Sequence, residues 1–329
     1  METGRRDPPE VKRCSLNSLY ASEKIEEIFS KMHFDGELNF MEPMRNHSSL
    51  KIGGPADILI MPHNPSSLKN LLITLKREEI PYLPLGGGTN VLVKDGGIEG
   101  AVISLKALNG IEVLSEDDEY IQLHGEAGIP LQKLVAFSKK HAYAGLEWLI
   151  GIPGLLGGAI CGNAGAFGSE MKDVLIAVSL MDDNGVLKRY RKEDIHFSYR
   201  SSGLSIKEII VAAELRLRKD TKEALSSRIE QFIREKRERQ PLSEPSAGCV
   251  FKNPLGISAG KLIDETGCKG MSIGDIEVSR VHANFFINRG NGTASDFLQL
   301  MGEVTQRVTK HFGVILEPEI KIVGRERVN

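Results

Sequence analysis

Three short polar segments carry side chains that could take part in catalysis. Arg200 lies in residues 196–202, Cys249 in residues 245–254, and Glu317 and Glu319 follow near the C-terminus. A guanidinium stays charged and can bond both oxygens of a carboxylate. A thiol, with an ordinary pKa of about 8.5, is a far stronger acid than an unassisted hydroxyl. Together these groups could bind a carboxylate and donate a proton beside it.

Each of these residues also has a purely structural interpretation. Arg200 could be a surface arginine beside a strand end, Cys249 a packed core cysteine, and either glutamate a solvated strand residue. A different chemistry is open as well, because Cys249 and His282 could form the nucleophile and base of a thiol hydrolase. The sequence does not establish whether those two side chains meet.

Two glycine-rich stretches favour a bound dinucleotide. The first, residues 85–93, has three consecutive glycines followed by Thr89 and Asn90. Glycines allow backbone N–H groups to converge on a pyrophosphate, although a flexible hairpin turn is the simpler alternative. The second stretch, residues 151–168, holds seven glycines, which would fill a core poorly but admit a large flat ligand. Neither stretch is a Walker A or G-x-G-x-x-G motif, so a Rossmann fold is disfavoured.

Apolar periodicity predicts the elements that must position these residues. In the first region it predicts a helix from Ser22 to about Lys31, a strand at 57–61, a helix carrying Leu68, Leu71, Leu72 and Leu75, and strands of one sheet at 82–85, 91–93 and 101–105. In the second it predicts strands at 120–123, 176–181 and 208–218 and a helix at 131–140. A charged helix at about 221–238, whose 234–239 run reads as mostly solvated, then leads to a final α+β unit with a helix near 294–311.

Composition excludes several classes of function. The formal net charge is −2, so overall charge recruits neither nucleic acid nor an anionic membrane. The four cysteines, at 14, 161, 249 and 268, show neither CxxC spacing nor a dense cluster, which predicts no metal site and suits a reducing cytoplasm. No signal peptide and no membrane span are expected.

Several motifs in fixed order resemble one enzyme family. Residues 46–57, the triple-glycine loop and residues 151–168 are similar to the FAD-binding motifs of the UDP-N-acetylenolpyruvoylglucosamine reductases. The similarity runs from about residue 40 to 324. The resemblance implies an α+β chain with a two-lobed FAD-binding domain of the vanillyl-alcohol-oxidase type and a smaller α+β substrate domain. The predicted divisions are a disordered lead-in (1–20), lobe 1 (21–105), lobe 2 (106–220) and the substrate domain (221–329).

The resemblance also implies FAD bound without a covalent link, with NADPH as the co-substrate that reduces it. Backbone at 86–90 would hold the pyrophosphate, and residues 151–165 would line the isoalloxazine and ribityl chain. His47 and Cys161 remain open as points of covalent attachment. The predicted cofactor-binding residues are Ile52, Gly53, Gly54, Gly86, Gly87, Gly88, Thr89, Asn90, Gly151, Pro153, Gly158, Asn163 and Gly165.

By the same resemblance, Arg200 would polarise the substrate carboxylate and Glu319, not Glu317, would match the catalytic acid. Where the family usually has a proton-donating serine, this sequence has Cys249. We therefore expect Cys249 to protonate the enolate while Arg200 and Glu319 stabilise it. The predicted substrate-binding residues for the UDP-sugar are Tyr199, Arg239, Asn253 and Lys261.

Only one predicted strand and one predicted helix separate Arg200 from Pro245. The chain therefore resembles the family type that lacks an inserted tyrosine lid. We expect a cytoplasmic monomer whose partners are the UDP-sugar and NADPH, with no nucleic acid or membrane partner. An FAD enzyme with another substrate and a non-catalytic flavin-binding regulator remain the alternatives within flavoproteins.

Overall fold

The computed structural model describes residues 27–29, 34–205 and 208–327. The chain falls into two compact units, Met1–Phe34 and Asp35–Asn329. In the first unit, residues 27–29 are helical, and the rings of Phe29 and Phe34 meet edge to face with their centroids 5.5 Å apart. The predicted lead-in and the rest of the predicted first helix lie outside the described residues.

The second unit begins with a four-stranded sheet, called here the first sheet. Its strands run in the order Gly36–Pro43, Pro55–Pro62, Ile98–Ser104 and Tyr82–Leu85. The first pair is antiparallel and the other two pairs are parallel. Helix Pro65–Arg77 is capped by the Asn64 side chain, which accepts from Ser67 N, and it buries the predicted leucine stripe.

The strand Val91–Val93 does not join the first sheet, so that prediction was wrong. It pairs in parallel with Lys321–Val323, with Leu92 opposite Ile322. The glycine loop before it turns the chain away from Tyr82–Leu85, and the partner strand arrives from the far end of the sequence. Short-range patterns cannot reveal such a pairing. The C-terminal segment is thereby fixed beside the first glycine loop.

An antiparallel second sheet follows. Its strands run in the order Leu187–Arg191, Leu175–Met181, Ile209–Lys219, Tyr120–Glu126 and Ile111–Glu116, and Tyr143–Ala144 pairs with the end of Ile209–Lys219. The strand predicted at 208–218 is confirmed, but its side chains alternate in burial only from Ala213 onward, since the five residues from Ile209 to Ala213 are all buried. The helices of this region are Leu131–His141, Leu156–Cys161 and Met171–Val174, and the strands Gly165–Ala166 and Ser169–Glu170 pair with each other.

Helix Lys222–Arg239 leads to the third sheet, whose strands run in the order Ser246–Cys249, Phe285–Asn288, Ile276–Val278 and Ser272–Ile273. Helices Ala259–Glu265 and Ala294–Phe312 pack on it. The second of these begins with a capping box between Thr293 and Asp296 and ends at Gly313 in the left-handed conformation, as predicted near 294–311. Its buried face includes Phe297, Leu300 and Val304, while Leu298 is only partly buried.

The core beneath the third sheet also takes in residues from the first half of the chain. Leu50, Ile52 and Leu92 are buried with Phe251, Phe286, Phe297 and the surrounding apolar side chains. Residues 46–57 therefore lie against the C-terminal region. The three sheets fall within the three predicted divisions, whose boundaries remain a prediction. In the described part of the chain, no helix has the length and apolarity that a bilayer crossing demands.

Candidate active site

The C-terminal segment places Glu319 between two other segments. Glu319 N donates to Val250 O at 2.8 Å, and Asn90 Nδ2 donates to Glu319 O at 3.2 Å. Two residues after Glu319, Lys321 N donates to Asn90 O at 3.1 Å. The backbone of Glu319 is therefore held by the Asn90 side chain of the first glycine loop on one side and by the Val250 carbonyl, next to Cys249, on the other.

Cys249 lies at an irregularity in the third sheet. The register between its strand and Phe285–Asn288 shifts between Ser246 and Cys249, and Gly248 has φ +76°. The buried Asn284 side chain then fixes the next residues, because its Oδ1 accepts from Phe251 N at 2.9 Å and its Nδ2 donates to Phe251 O at 2.8 Å. The bulge and this amide clamp set the position of the thiol.

Arg200 sits at the tip of a tight turn. Ser198 and Ser201 exchange two backbone hydrogen bonds across it, and Arg200 itself has φ +59°, a conformation uncommon for a non-glycine residue. Its Nη1 donates to Gly165 O at 3.2 Å. Its Nε lies 2.9 Å from Glu319 Oε1, but the N–H does not align with that oxygen and finds no acceptor among the described residues.

The three predicted catalytic residues, Arg200, Cys249 and Glu319, therefore form one cluster. Burial raises the pKa of the Glu319 carboxyl, while Arg200 and then Lys252 oppose that rise. Burial also raises the pKa of the half-buried Cys249 thiol to about 12, the Glu319 charge adds to the rise, and Arg200 opposes it. A thiol with this pKa keeps its proton at neutral pH, which a proton donor must do.

The predicted cofactor segments pack directly on one another. A Cβ on Gly87 would lie 2.8 Å from Gly154 Cα, and one on Gly88, at φ +64°, would overlap His47 O. Thr89 Oγ1 donates to Pro153 O at 3.3 Å. A side chain at 87 would force the two glycine-rich stretches apart, and one at 88 would force the first glycine loop away from His47. At these two positions, glycine therefore allows two backbone segments to approach each other closely, rather than a backbone and a ligand.

Other surfaces of these segments are open to a ligand. Gly158 is exposed, and a Cβ there would meet nothing within 4 Å. Asn90 Oδ1 is a buried acceptor without a partner among the described residues, as Arg200 Nε is a donor without one. A flat glycine wall beside unpaired polar atoms fits a large planar group with hydrogen-bonding edges, such as the isoalloxazine of FAD.

Gly158→Ala tests this fit. Alanine is about 0.5–1 kcal/mol better than glycine in a helix, so the apoprotein should be as stable as the wild type or slightly more stable. If flavin covers Gly158, the added methyl should cost about 1–3 kcal/mol of FAD affinity, or roughly ten- to a hundredfold. Thermal melts of the apoprotein and FAD titration measure the two effects separately.

Gly302→Ala is the matched control, since Gly302 is an exposed helical glycine whose Cβ would also meet nothing within 4 Å. It should raise stability by the same small amount and leave FAD affinity unchanged. Equal FAD affinity in Gly158→Ala and the wild type would show that flavin does not cover Gly158.

Some predicted cofactor residues are committed to the protein itself. The Ile52 side chain is buried in the C-terminal core, and the Gly54 N–H is used by Lys94 O. The buried Asn163 amide donates to Glu170 Oε2 and Ser198 O and accepts from Lys172 N. Asn163 therefore braces the second glycine-rich stretch, and both of its amide hydrogens are engaged by the protein. The cofactor roles of the remaining residues stay a prediction.

The predicted substrate-binding residues are all exposed. Tyr199 lies beside Arg200, whose guanidinium carbon is 5.3 Å from the centre of the tyrosine ring. Asn253 Oδ1 accepts from Ala259 N, and Lys261 is 3.8 Å from Glu265. Arg239 ends helix Lys222–Arg239. The described contacts join Tyr199 to the cluster but do not join the other three residues to one another.

The structure also places the residues of the alternative interpretations. His282 Nδ1 accepts from Asn284 N at 3.2 Å, and among the described residues no hydrogen bond or ion pair joins His282 to Cys249. His47 Nε2 is engaged by Glu42 at 2.8 Å, and Cys161 Sγ lies 3.7 Å from Lys321 Nζ. The arrangement around Cys249 is thus not that of a thiol hydrolase, which needs the base in contact with the thiol.

Two residues with clear structural roles at the site escaped sequence reasoning. Asn284 clamps the Cys249 segment, and no sequence pattern marks it. Lys236 is buried, although most of the 234–239 run around it is exposed, as expected. Lys236 lies on the same helix face as the buried Leu225 and Ile229, at helical spacing. That spacing predicts burial, but a charged residue was expected to face solvent.

The first half of this architecture, two sheets joined by glycine-rich stretches, is that of an FAD-binding protein of the vanillyl-alcohol-oxidase type. Residues 56–191 match the profile of the FAD binding domain, and residues 240–323 match that of the UDP-N-acetylenolpyruvoylglucosamine reductase C-terminal domain. The chain belongs to the UDP-N-acetylenolpyruvoylglucosamine reductase family and is an FAD-dependent oxidoreductase. The family uses FAD and NADPH.

Relatives match over nearly their whole length. The chain is 43% identical over 305 residues to the UDP-N-acetylenolpyruvoylglucosamine reductase of Caldanaerobacter subterraneus subsp. tengcongensis, covering 92% of this chain and 98% of the relative. It is 38% identical to that of Syntrophus aciditrophicus, covering 94% and 98%. The crystal structure of the reductase (MurB) from Thermus caldophilus superimposes with a TM-score of 0.72 at 34% identity, covering 88% of this chain and 99% of that one.

Proposed function

We propose that the protein reduces the enolpyruvyl group of UDP-N-acetylenolpyruvoylglucosamine to give UDP-N-acetylmuramate, with NADPH as the source of hydride. The observation that carries this proposal is the cluster of Arg200, Cys249 and Glu319, which three distant segments build beside the glycine-rich stretches. A guanidinium, a protonated thiol and a carboxyl are the groups that such a reduction needs.

The glycine-rich stretches would hold FAD, which would supply hydride transfer from NADPH to the terminal carbon of the substrate double bond. The electron pair of that bond then moves toward the substrate carboxylate, which carries the developing negative charge. Arg200 would bind that carboxylate through its guanidinium and stabilise the charge. Glu319, whose Oε1 lies 2.9 Å from Arg200 Nε, would hold the guanidinium in place.

Cys249 would complete the reaction. Its thiol would give its proton to the carbon beside the carboxylate, which breaks the S–H bond and forms the new C–H bond. The thiolate would then take a proton from solvent. The left-handed turn at Arg200 and the bulge at Cys249 support this proposal because both fix a side chain through backbone geometry.

The remaining parts of the proposal concern binding and cellular setting. Tyr199, Arg239, Asn253 and Lys261, all exposed, would bind the sugar nucleotide and its diphosphate. Only strand Ile209–Lys219 and helix Lys222–Arg239 fill the described chain between Arg200 and Pro245, which supports a substrate site without the tyrosine lid. We infer a cytoplasmic monomer that supplies peptidoglycan precursors, and through them cell-wall biogenesis, cell shape and cell division.

The test is NADPH oxidation by the purified FAD-loaded protein under anaerobic conditions. With the enolpyruvyl UDP-sugar we expect one NADPH consumed per product, and a product heavier by two hydrogen atoms in mass spectrometry. UDP-N-acetylglucosamine, which lacks the enolpyruvyl group, is the control and should give no turnover. Absence of turnover with the enolpyruvyl sugar would refute the proposed substrate.

A further inference from the structure

Lys236 is a buried ammonium at the start of the second glycine-rich stretch. Its side chain is 6% exposed, and its Nζ donates to Ile150 O at 2.6 Å and to Trp148 O at 3.3 Å. No carboxylate among the described residues forms an ion pair with it. Burial lowers the pKa of this lysine to about 8. The backbone carbonyls before residue 151 are therefore its main polar partners.

The same side chain touches both ends of residues 151–168. At the first end, a Cβ on Gly151 would lie 3.2 Å from Lys236 Cδ, so the lysine stem packs against this glycine. At the other end, Nζ lies 5.4 Å from the centre of the Phe167 ring, within the range of a cation–π contact. Phe167 in turn stacks on Phe232 of the lysine's own helix, with centroids 4.2 Å apart.

A second side chain of the same helix contacts the segment that leads into residue 151. Arg228, about 12 Å below Lys236 along the helix axis, lies 2.6 Å from the buried Glu147. Arg228 Nε also donates to Glu147 Oε1 at 2.8 Å, and Glu147 precedes Trp148 directly. Helix Lys222–Arg239 therefore holds the approach to the glycine-rich stretch at two levels.

Packing alone does not account for an ammonium at this position. A buried cation without a counter-ion costs free energy, and a methionine of similar length would fill the same space without that cost. Methionine would, however, leave the carbonyls of Trp148 and Ile150 without their Lys236 donor. Unlike methionine, lysine donates hydrogen bonds to the carbonyls of Trp148 and Ile150 and places a positive charge near the Phe167 ring. One side chain thereby contacts all three residues.

We propose that Lys236 is a positioning residue that fixes both ends of residues 151–168 in the geometry that binds FAD. This inference rests on the proposed placement of FAD along that stretch. It assigns to the helix leading into the substrate domain a direct part in shaping the flavin site.

The test compares Lys236→Met with the wild type. Methionine keeps most of the stem that packs on Gly151 but removes all three donors. We expect FAD to bind the Lys236→Met apoprotein about ten- to a hundredfold more weakly, as loss of charged hydrogen bonds predicts. In the apoprotein, amide hydrogen exchange should accelerate within residues 148–168 and stay unchanged in the third sheet. Lys236→Arg, which keeps the charge, and Lys236→Gln, which keeps one donor group, should fall in between.

Arg237→Met is the matched control, because Arg237 is the next residue on the same helix and is exposed. It should bind FAD as the wild type does. Wild-type FAD affinity in both Lys236→Met and Lys236→Gln would overturn the inference and leave the proposed function intact, as would exchange accelerated uniformly over the whole chain. A wild-type protein that takes up no FAD would overturn the proposed function and the inference with it.

Discussion

Cys249→Ala should leave flavin reduction by NADPH unchanged while slowing flavin reoxidation by the enolpyruvyl UDP-sugar about a hundred- to ten-thousandfold, the usual contribution of a general acid. The expectation follows from the position of the thiol beside Arg200 and Glu319 and from its raised pKa. Alanine removes the thiol proton and the hydrogen bond of the thiol to Asn284. The bulge and the hydrogen bonds between Asn284 and Phe251 act on the backbone and should remain. Anaerobic stopped-flow absorbance of the flavin measures the two half-reactions separately.

Cys249→Ser is the conservative variant and should restore part of the reoxidation rate, since a hydroxyl can also donate a proton. The wild type adds a pH test. Because burial holds the pKa of the thiol at about 12, the donor form persists below that pH. Reoxidation should therefore show no fall near the ordinary thiol pKa of about 8.5. An equal loss in both half-reactions of Cys249→Ala would contradict the assignment.

The second large effect is expected from Arg200→Met. Removal of a group that stabilises the developing negative charge should slow reoxidation by the substrate about a hundred- to a thousandfold. Because Arg200 opposes the rise in the pKa of Glu319, that pKa should rise further in the variant. Stopped-flow reoxidation with increasing substrate concentrations separates weaker binding from slower chemistry.

Arg200→Lys distinguishes charge from geometry. It keeps a cation but loses the planar fork that can bond both carboxylate oxygens, so its rate should lie between those of the wild type and Arg200→Met. Circular dichroism and thermal melts control for folding, since the left-handed turn at Arg200 is set by residues 198–201. A normal reoxidation rate in Arg200→Met would exclude contact between Arg200 and the reacting carboxylate.

Local patterns were enough to predict the elements that bury one face. The leucine stripe of helix Pro65–Arg77 and the alternation of strand Ile209–Lys219 from Ala213 onward both appear in the structure. The pairing of Val91–Val93 with Lys321–Val323 was not predictable, since it joins segments more than two hundred residues apart and each strand is only three residues long. That pairing is also what carries Glu319 to the site.

The site itself shows the same division. The sequence and its family resemblance pointed to Arg200, Cys249 and Glu319, but only the fold shows that they meet. Lys236 was missed because charge normally indicates solvent, and its partners are carbonyl groups whose position depends on the chain path. For Asn163 the sequence predicted a ligand-binding residue. In the structure its amide nitrogen and its amide oxygen both form hydrogen bonds with the protein.

The proposed function requires a bound flavin that passes electrons from NADPH to the sugar nucleotide. The decisive measurement is the visible absorption spectrum of the purified protein, recorded without oxygen before and after NADPH and again after the enolpyruvyl UDP-sugar. We predict a flavin spectrum that bleaches with NADPH and returns with the sugar. A colourless protein that also fails to take up added FAD would contradict the interpretation of both glycine-rich stretches, and a bleached flavin that the sugar does not reoxidise would contradict the proposed reaction.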